Sequence, residues 1–160
     1  MSGLTLFTLF HTALSLIALV AGFVVIRELL KSNVANGWTT TLLVTMIATD
    51  VTGFMFPFTG FLPSHATGIV SLAFIAVVIV ARYVMHYAGA MRWIYAASMV
   101  IVVYLDAFVT VVQAFLKIPA LNALAPTQGE PPFAIAQGIV FLIFVALGIA
   151  AARKFHPVQS

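Results

Sequence analysis

Two carboxylic acids stand within long apolar stretches of this chain. The sequence has 160 residues but only four Asp or Glu. Two of them, Asp50 and Asp106, have mainly aliphatic and aromatic neighbours along the chain. A carboxylate in apolar surroundings is costly unless it gains a partner, a proton or a ligand. These two residues are therefore the first candidates for binding chemistry.

Further polar residues recur at helical spacing. Thr110, Gln113 and Lys117 follow Asp106 by four, seven and eleven residues, which places them on the same helix face. His11 lies in a polar stripe formed by Thr5, Thr8, His11, Thr12 and Ser15. The predicted ligand-binding or proton-binding residues are Asp50, Asp106, His11, Thr110, Gln113 and His65.

The histidines leave a redox alternative open. A haem b held by two histidines needs them on facing helices at similar depth, and His11 with His65 is the one pair that could provide them. The chain has no cysteine, which excludes thiol catalysis and thiolate metal sites. It also lacks a phosphate-binding loop, a nucleophile elbow and a His-Glu-x-x-His motif. We therefore predict no metal, no catalytic residue and no resident cofactor, with haem or quinone near His11 and His65 as the alternative.

The composition indicates which solvent surrounds these residues. Hydrophobic residues make up 63% of the chain and charged residues 7%, whereas soluble domains carry about 25% charged residues. The mean hydropathy is +1.17. The seven Lys and Arg are spread along the chain, so the net charge of +3 does not indicate nucleic acid. We predict an integral membrane protein, residues 1–160 forming a single domain whose main partner is the lipid bilayer.

Five apolar segments are long enough to cross a bilayer. Because lipid offers no hydrogen bonds to the backbone, such segments must be helices. The sequence predicts an all-α polytopic bundle with spans at about 4–30, 38–61, 65–85, 93–116 and 132–152. Pro57 should clash with the Gly53 carbonyl and bend the second span just beyond Asp50. A short helix is predicted at Ala120–Leu124 in the longest connection.

The distribution of cationic residues predicts the orientation. One side of the five-span arrangement receives Arg27, Lys31, Arg82, Arg92, Arg153 and Lys154; the other side receives only Lys117. Short loops rich in Lys and Arg stay in the cytoplasm. The N-terminus is therefore predicted outside and the C-terminus in the cytoplasm.

His11, Asp50 and Asp106 share one depth in this arrangement. Counting along the three helices places each of them about 20 Å from the cytoplasmic face. The inner halves of most spans are almost wholly apolar, so the polar residues predict a pocket open to the outside. We expect the three side chains to face the interior and to meet directly or through water. Two carboxyls in such a site do not both ionise easily, so the pair should bind one proton as a unit.

Two stretches carry a resemblance to known proteins. They are Thr52–Leu72, with the sequence TGFMFPFTGFLPSHATGIVSL, and Val111–Phe133, with the sequence VVQAFLKIPALNALAPTQGEPPF. Both are similar to a family of small uncharacterised bacterial inner-membrane proteins. The resemblance implies a multi-pass protein of the bacterial inner (cytoplasmic) membrane. It implies no activity, because the family has none assigned.

Three hypotheses for function follow. The first is a small proton-linked carrier or binding protein with an outward-facing polar site formed by Asp50, Asp106 and His11. The second is a redox membrane protein that binds haem or quinone near His11 and His65. The third is a homo-oligomer or an accessory subunit of a larger membrane complex, with the polar residues acting as interhelical glue.

Overall fold

A computed structural model describes residues 2–57, 60 and 63–158, and every regular element in these ranges is helical. Five helices are long, and α5 is a single short turn in the last connection. Their bounds are α1 Gly3–Leu30, α2 Asn36–Gly53, α3 Pro63–Ile79, α4 Met91–Lys117, α5 Pro119–Leu124 and α6 Pro131–Lys154. A π-helical turn, Val80–Val84, continues α3.

Four of the long helices have the length and apolarity needed to cross a membrane. They are α1, α3 with its π-helical turn, α4 and α6, which contain between 22 and 28 residues. At 1.5 Å per residue they extend over about 33–42 Å, more than the hydrocarbon core of a bilayer. The predicted all-helical class is therefore confirmed for the described residues, and the chain has the helices of a membrane protein.

Helix α2 differs from the prediction. The span predicted at 38–61 is a helix of 18 residues that ends at Gly53, and the predicted end, Phe61, lies outside the described residues. Turn residues follow Gly53, so the expected bend before Pro57 is a helix end rather than a kink. Pro57 explains this helix end, as it explained the predicted bend. In a continuing helix its ring would clash with the Gly53 carbonyl, and proline has no N–H to donate to that carbonyl.

The composition of α2 also weakens it as a helix. It contains six threonines and Asp50, which makes it the most polar of the long helices. Thr45, Thr49 and Thr52 each donate a hydrogen bond to the backbone carbonyl four residues earlier, at 2.7 to 2.8 Å. Such bonds satisfy the hydroxyls in apolar surroundings but compete with the helical backbone bonds.

Helix α4 is the centre of the bundle and packs against α1, α3 and α6, while α1 packs closely along α2. The contact of α1 with α4 depends on a glycine. A Cβ added at Gly22 would lie 2.6 Å from Cγ1 of Val103, so only glycine allows this approach. The buried residues around this contact are apolar, and they include Ala18, Ala21, Val25, Met99 and Val103.

Polar contacts join the helices at one end of the bundle, which we call the Arg82 end. Arg82 donates hydrogen bonds to Oδ1 of Asn36, at 2.6 Å, and to the hydroxyl of Tyr95, at 3.1 Å. Arg92 binds the carbonyl of Phe155 at 2.5 Å, and the backbone N–H of His156 binds the Ser32 hydroxyl at 2.7 Å. The end of α1, the beginnings of α2 and α4, and the ends of α3 and α6 therefore meet here. The rings of Tyr87, Tyr95 and Phe155 pack against one another at the same end.

Helix α2 runs from the Arg82 end toward the opposite end. It begins at Asn36, which binds Arg82 near the end of α3. Just past its own end, the ring of Phe54 stacks on the ring of His65 in the first turn of α3, with 5.7 Å between the ring centroids. The second and third helices are thus antiparallel neighbours, and α2 traverses most of the length of the bundle although its 18 residues are fewer than those of α1, α4 and α6.

Candidate functional site

A cavity of about 630 Å³ lies at the end of the bundle opposite Arg82, between α1, α2, α3 and α4. This volume is in the usual range for small-molecule sites, about 300–1,000 Å³. The cavity lies beside the second half of α2 and extends past the end of that helix to Phe54, Phe56 and Pro57. His11 contacts the last turn of α2 through Thr52, and α1 extends a further eight residues, about 12 Å, toward its N-terminus.

The structure places all six predicted site residues on the walls of this one cavity. They come from four helices, in the order His11, Asp50, His65, Asp106, Thr110 and Gln113. Sequence reasoning did not include Ser15, Ser71, Phe54 or Phe56 among the site residues, and they also line the cavity. Ser15 had a detectable signal, since it follows His11 by four residues in the polar stripe of α1. Ser71 also had a signal, because it follows Gly68 by three residues and His65 by six on the third span, which places it on their face of the helix.

Asp106 is the most deeply buried ionisable side chain of the site, with only 5% of its surface exposed. Its Oδ1 accepts a hydrogen bond of 2.6 Å from the hydroxyl of Ser15, which joins α4 to α1. Its Oδ2 is buried and has no hydrogen-bond partner among the described residues. One oxygen of this carboxyl therefore stabilises the bundle, and the other is available in the cavity.

Asp50 approaches the same region from α2. Its Oδ1 lies 3.9 Å from the position that a Cβ on Gly68 would occupy, so the carboxyl rests against α3. Ser71 stands beside this carboxyl as a potential hydrogen-bond donor, but in the described part of the chain neither Oδ2 of Asp50 nor the Ser71 hydroxyl oxygen has a partner with hydrogen-bond geometry. The carboxyl of Asp50 is also close enough to that of Asp106 for the two to interact electrostatically.

These atoms form a group of three unpartnered oxygens from three helices: Oδ2 of Asp50, Oδ2 of Asp106 and Oγ of Ser71. We call it the oxygen cluster. Buried polar atoms are nearly always hydrogen-bonded, and an exception calls for a proton, a water or a ligand to explain it. Three exceptions that line one cavity indicate that the cavity binds something that donates hydrogen bonds.

His11 makes its hydrogen bond to α2 rather than to either carboxyl. Its Nδ1 lies 2.9 Å from Oγ1 of Thr52, and that hydroxyl already donates its proton to the carbonyl of Ala48 at 2.7 Å. A hydroxyl has one proton, so Nδ1 of His11 must be the donor. Nδ1 of His11 therefore bonds Thr52 rather than a carboxyl, and the expectation that His11, Asp50 and Asp106 meet directly or through water stays a prediction.

Aromatic rings hold both histidines at the cavity wall. Phe56 packs edge-on against His11 with 5.2 Å between centroids. His65, which is 8% exposed, stacks on Phe54. The turn that follows α2 supplies both phenylalanines, so the early end of this helix also positions the histidines of α1 and α3.

A polar wall leads from the oxygen cluster toward the end of the bundle. Thr110, Gln113 and Lys117 lie on successive turns of α4 and line the cavity opposite Thr8 and Thr12 of α1. Lys117 is exposed and close enough to His11 to interact electrostatically. The other direction is closed, because apolar residues fill the bundle between the cavity and the Arg82 end.

The described residues contain no group of three or more His, Asp or Glu that could hold a metal ion. Comparison of the chain with protein-family models, with curated proteins and with solved structures found no match. The cavity and its side chains are therefore the features that indicate a function.

Proposed function

We propose that this chain is a multi-pass membrane protein whose cavity faces the outside and forms a polar site for protons and for a small ligand, as in a proton-linked binding protein or carrier. The observation that carries the proposal is the oxygen cluster, three buried acceptor atoms without partners in one cavity. Enzymatic chemistry is not part of the proposal.

Five crossings are proposed because α2 begins where α1 ends and finishes where α3 begins. If α2 stayed on one side of the membrane, α1 and α3 would end on opposite sides. The ends of α1 and α3 both lie at the Arg82 end, which supports a crossing by α2. At about 27 Å, α2 is close to the hydrocarbon thickness of about 30 Å. The six cationic residues near the Arg82 end favour a cytoplasmic location for that end. The resemblance to bacterial inner-membrane proteins supports the bacterial inner membrane as the location.

The carboxyl pair supports proton binding. Asp50 and Asp106 interact electrostatically across a cavity with largely apolar walls. Two negative charges at such a place repel each other and are poorly solvated, so one proton shared by the pair lowers the free energy. The pair should then titrate as a unit. The polar wall on α4 offers the proton a route to the external solvent. The apolar packing between the cavity and the Arg82 end blocks its passage to the cytoplasmic side.

Infrared spectroscopy of the purified protein tests this proposal. A protonated carboxyl has its own carbonyl stretching band, and we expect that band to appear near neutral pH and to disappear on alkaline titration. Asp50→Asn or Asp106→Asn should abolish the titrating band. Glu28→Gln, which changes an exposed acid hydrogen-bonded to Lys31 and Asn33, is the matched control and should leave it. A band that is absent from the native protein, or that survives both Asn substitutions, would refute proton binding by this pair.

A redox role is the second candidate, because His11 and His65 line the same cavity. The absorption spectrum of the membrane-extracted protein separates the candidates. A Soret band that is lost in both His11→Ala and His65→Ala would establish haem binding and displace the first proposal. A stoichiometric partner that co-purifies without any bound small molecule would instead favour the accessory-subunit hypothesis.

A further inference from the structure

We infer that the ligand of this cavity is an organic cation with a primary ammonium group on an apolar body. The inference rests on the proposed function and names the chemical class of its ligand. It depends on three features of the cavity: the kind of atoms left unpartnered, the walls around them, and the position of the nearest cationic side chains.

The unpartnered atoms are acceptors. The carboxylate oxygens of Asp50 and Asp106 can only accept hydrogen bonds when ionised, and the Ser71 hydroxyl can accept as well as donate. A primary ammonium has three N–H donors and no acceptor, so it is complementary to a site whose unpartnered atoms can all accept hydrogen bonds. Hydrogen bonds between an ammonium and a carboxylate are charge-assisted and roughly twice as strong as neutral ones.

Burial of these oxygens distinguishes the cluster from a solvated acidic patch. Ser71 is 1% exposed and Asp106 is 5% exposed, and both line the cavity. Water could satisfy such atoms at a lower cost if they were at the surface. Here the donors come from water or a ligand within the cavity, and a charged donor is recognised strongly at a place with few other polar partners.

The walls determine the rest of the ligand. Near the oxygen cluster the cavity is lined by Leu16, Met46, Leu105 and Val109, with the rings of Phe54 and Phe56 beyond them. A bare metal cation would leave most of about 630 Å³ empty and these apolar surfaces uncovered. A hydrocarbon or aromatic body would cover them, with a gain of about 25 cal/mol for each Å² removed from water.

The cationic residues exclude a zwitterion held at both ends. Lys117 follows Asp106 by eleven residues on α4, which is about 16 Å along the helix. This separation exceeds the distance between the amino and carboxyl groups of an α-amino acid. Among the described residues that line the cavity, Lys117 is the one Lys or Arg, so none of these side chains is placed to bind the carboxylate of an α-amino acid whose ammonium occupies the oxygen cluster.

Binding should compete with protons, because the ammonium and the shared proton use the same oxygens. The titratable groups that face the cavity are Asp50 from α2, Asp106 from α4, His11 from α1 and His65 from α3, with the Lys117 ammonium near its mouth. Lowering the pH protonates the carboxyls of Asp50 and Asp106 and removes the negative charge that attracts the ammonium. Protonation therefore weakens cation binding, so affinity should rise as the pH rises.

Calorimetry on the full chain in detergent tests the inference, with 2-phenylethylammonium as the probe and 2-phenylethanol as its neutral analogue. We expect saturable binding of the ammonium, little binding of the alcohol, and tighter ammonium binding at about pH 8 than at about pH 5. Sodium chloride and potassium chloride at equal ionic strength should give no saturable signal. Equal binding of the alcohol, saturable binding of sodium, no ammonium binding, or tighter binding at the lower pH would each overturn the inference.

Substitutions locate the binding to the oxygen cluster. Asp106→Asn and Ser71→Ala should each weaken ammonium binding by about ten- to a hundredfold, since each removes a hydrogen bond to a charged group. Ser98→Ala changes a buried serine of α4 that does not line the cavity, and it should have no effect. If Asp106→Asn does not fold, Ser71→Ala still decides the question, because unchanged affinity in that variant would contradict the inference.

The two proposals fail in different ways. If a titrating carboxyl band is observed but the ammonium does not bind, the proposed organic cation is refuted and the proton site stands. Ammonium binding that is independent of pH, without a titrating band, would remove the proton site and its linkage while leaving the cation site.

Discussion

Ser15 and Asp106 join α1 to α4 through one short hydrogen bond, 2.6 Å between the hydroxyl and Oδ1. In water, a hydrogen bond to a charged group contributes about 1.5–3 kcal/mol. Between helices in a membrane the measured average is about 0.6 kcal/mol, with a maximum near 1.7, because the separated helices find other partners. The membrane value applies here, since both residues lie well within helices long and apolar enough to span.

We therefore expect Ser15→Ala to lower the free energy of unfolding by about 1 kcal/mol. The measurement is reversible unfolding in mixed micelles. Thr40→Val is the matched control, because the Thr40 hydroxyl bonds only the Asn36 carbonyl of its own helix, at 3.0 Å. A loss in the control as large as that in Ser15→Ala would show that the interhelical bond contributes nothing specific.

At the scale of elements, two features shape the bundle: the close contact of α1 with α4, and the early end of α2. Small residues allow helices to approach closely where no hydrophobic driving force pulls them together in lipid. Gly22 has this role against Val103. The segment after Gly53 has a different role, since Phe54, Phe56 and Pro57 line the cavity beyond the end of α2.

Gly22→Ala should destabilise the protein by about 1–3 kcal/mol, because the new methyl group would overlap Val103 at 2.6 Å. Thermal unfolding measures the loss. Gly138→Ala is the control, because a Cβ at Gly138 would have no neighbour within 4 Å. Adding Val103→Ala to Gly22→Ala should restore part of the stability. No loss in Gly22→Ala would mean that α1 and α4 are not held at this distance.

Pro57→Ala should allow α2 to continue past Gly53, because residue 57 would gain an N–H and lose the ring that clashes with the Gly53 carbonyl. Hydrogen exchange should become slower at Phe54–Phe56. The longer helix would also enter the cavity and weaken ligand binding. Pro126→Ala, in the connection between α5 and α6, is the control and should change neither property. Unchanged exchange at Phe54–Phe56 would show that Pro57 does not end the helix.

At the scale of the whole molecule, the two ends of the bundle contain different polar groups. The cavity end carries the carboxyls and the polar wall, and the Arg82 end closes the bundle with hydrogen bonds and aromatic packing. Under the proposed topology, this is the outward-facing state of the protein. A carrier would need a second state in which the bonds of Arg82 to Asn36 and Tyr95 break.

The orientation has a direct test in reporter fusions. A reporter that is active only in the cytoplasm should be active when fused to the C-terminus, because the six cationic residues favour that side. The same reporter inserted between Ala125 and Glu130 should be inactive. An active insertion together with a silent C-terminal fusion would reverse the orientation and place the cavity on the cytoplasmic side.

The sequence by itself determined the helical class and the candidate residues. A chain so poor in charge must satisfy its backbone within helices. Counting at 1.5 Å per residue was enough to predict a common depth for His11, Asp50 and Asp106. Depth along a helix depends only on the number of residues, so it can be read without knowing which helices are neighbours.

Only the tertiary structure decided how these residues are paired. Rotation about each helix axis depends on packing, which placed Ser15 against Asp106, Thr52 against His11, and Ser71 beside Asp50. The residue at which α2 ends could not be obtained by counting along the sequence either. The apolar run continues to Phe61, but the helix ends at Gly53, because Pro57 has no N–H for the Gly53 carbonyl and its ring would clash with it. The cavity is lined by residues of four helices, so its volume and its unpartnered oxygens are properties of the packed bundle rather than of any single segment.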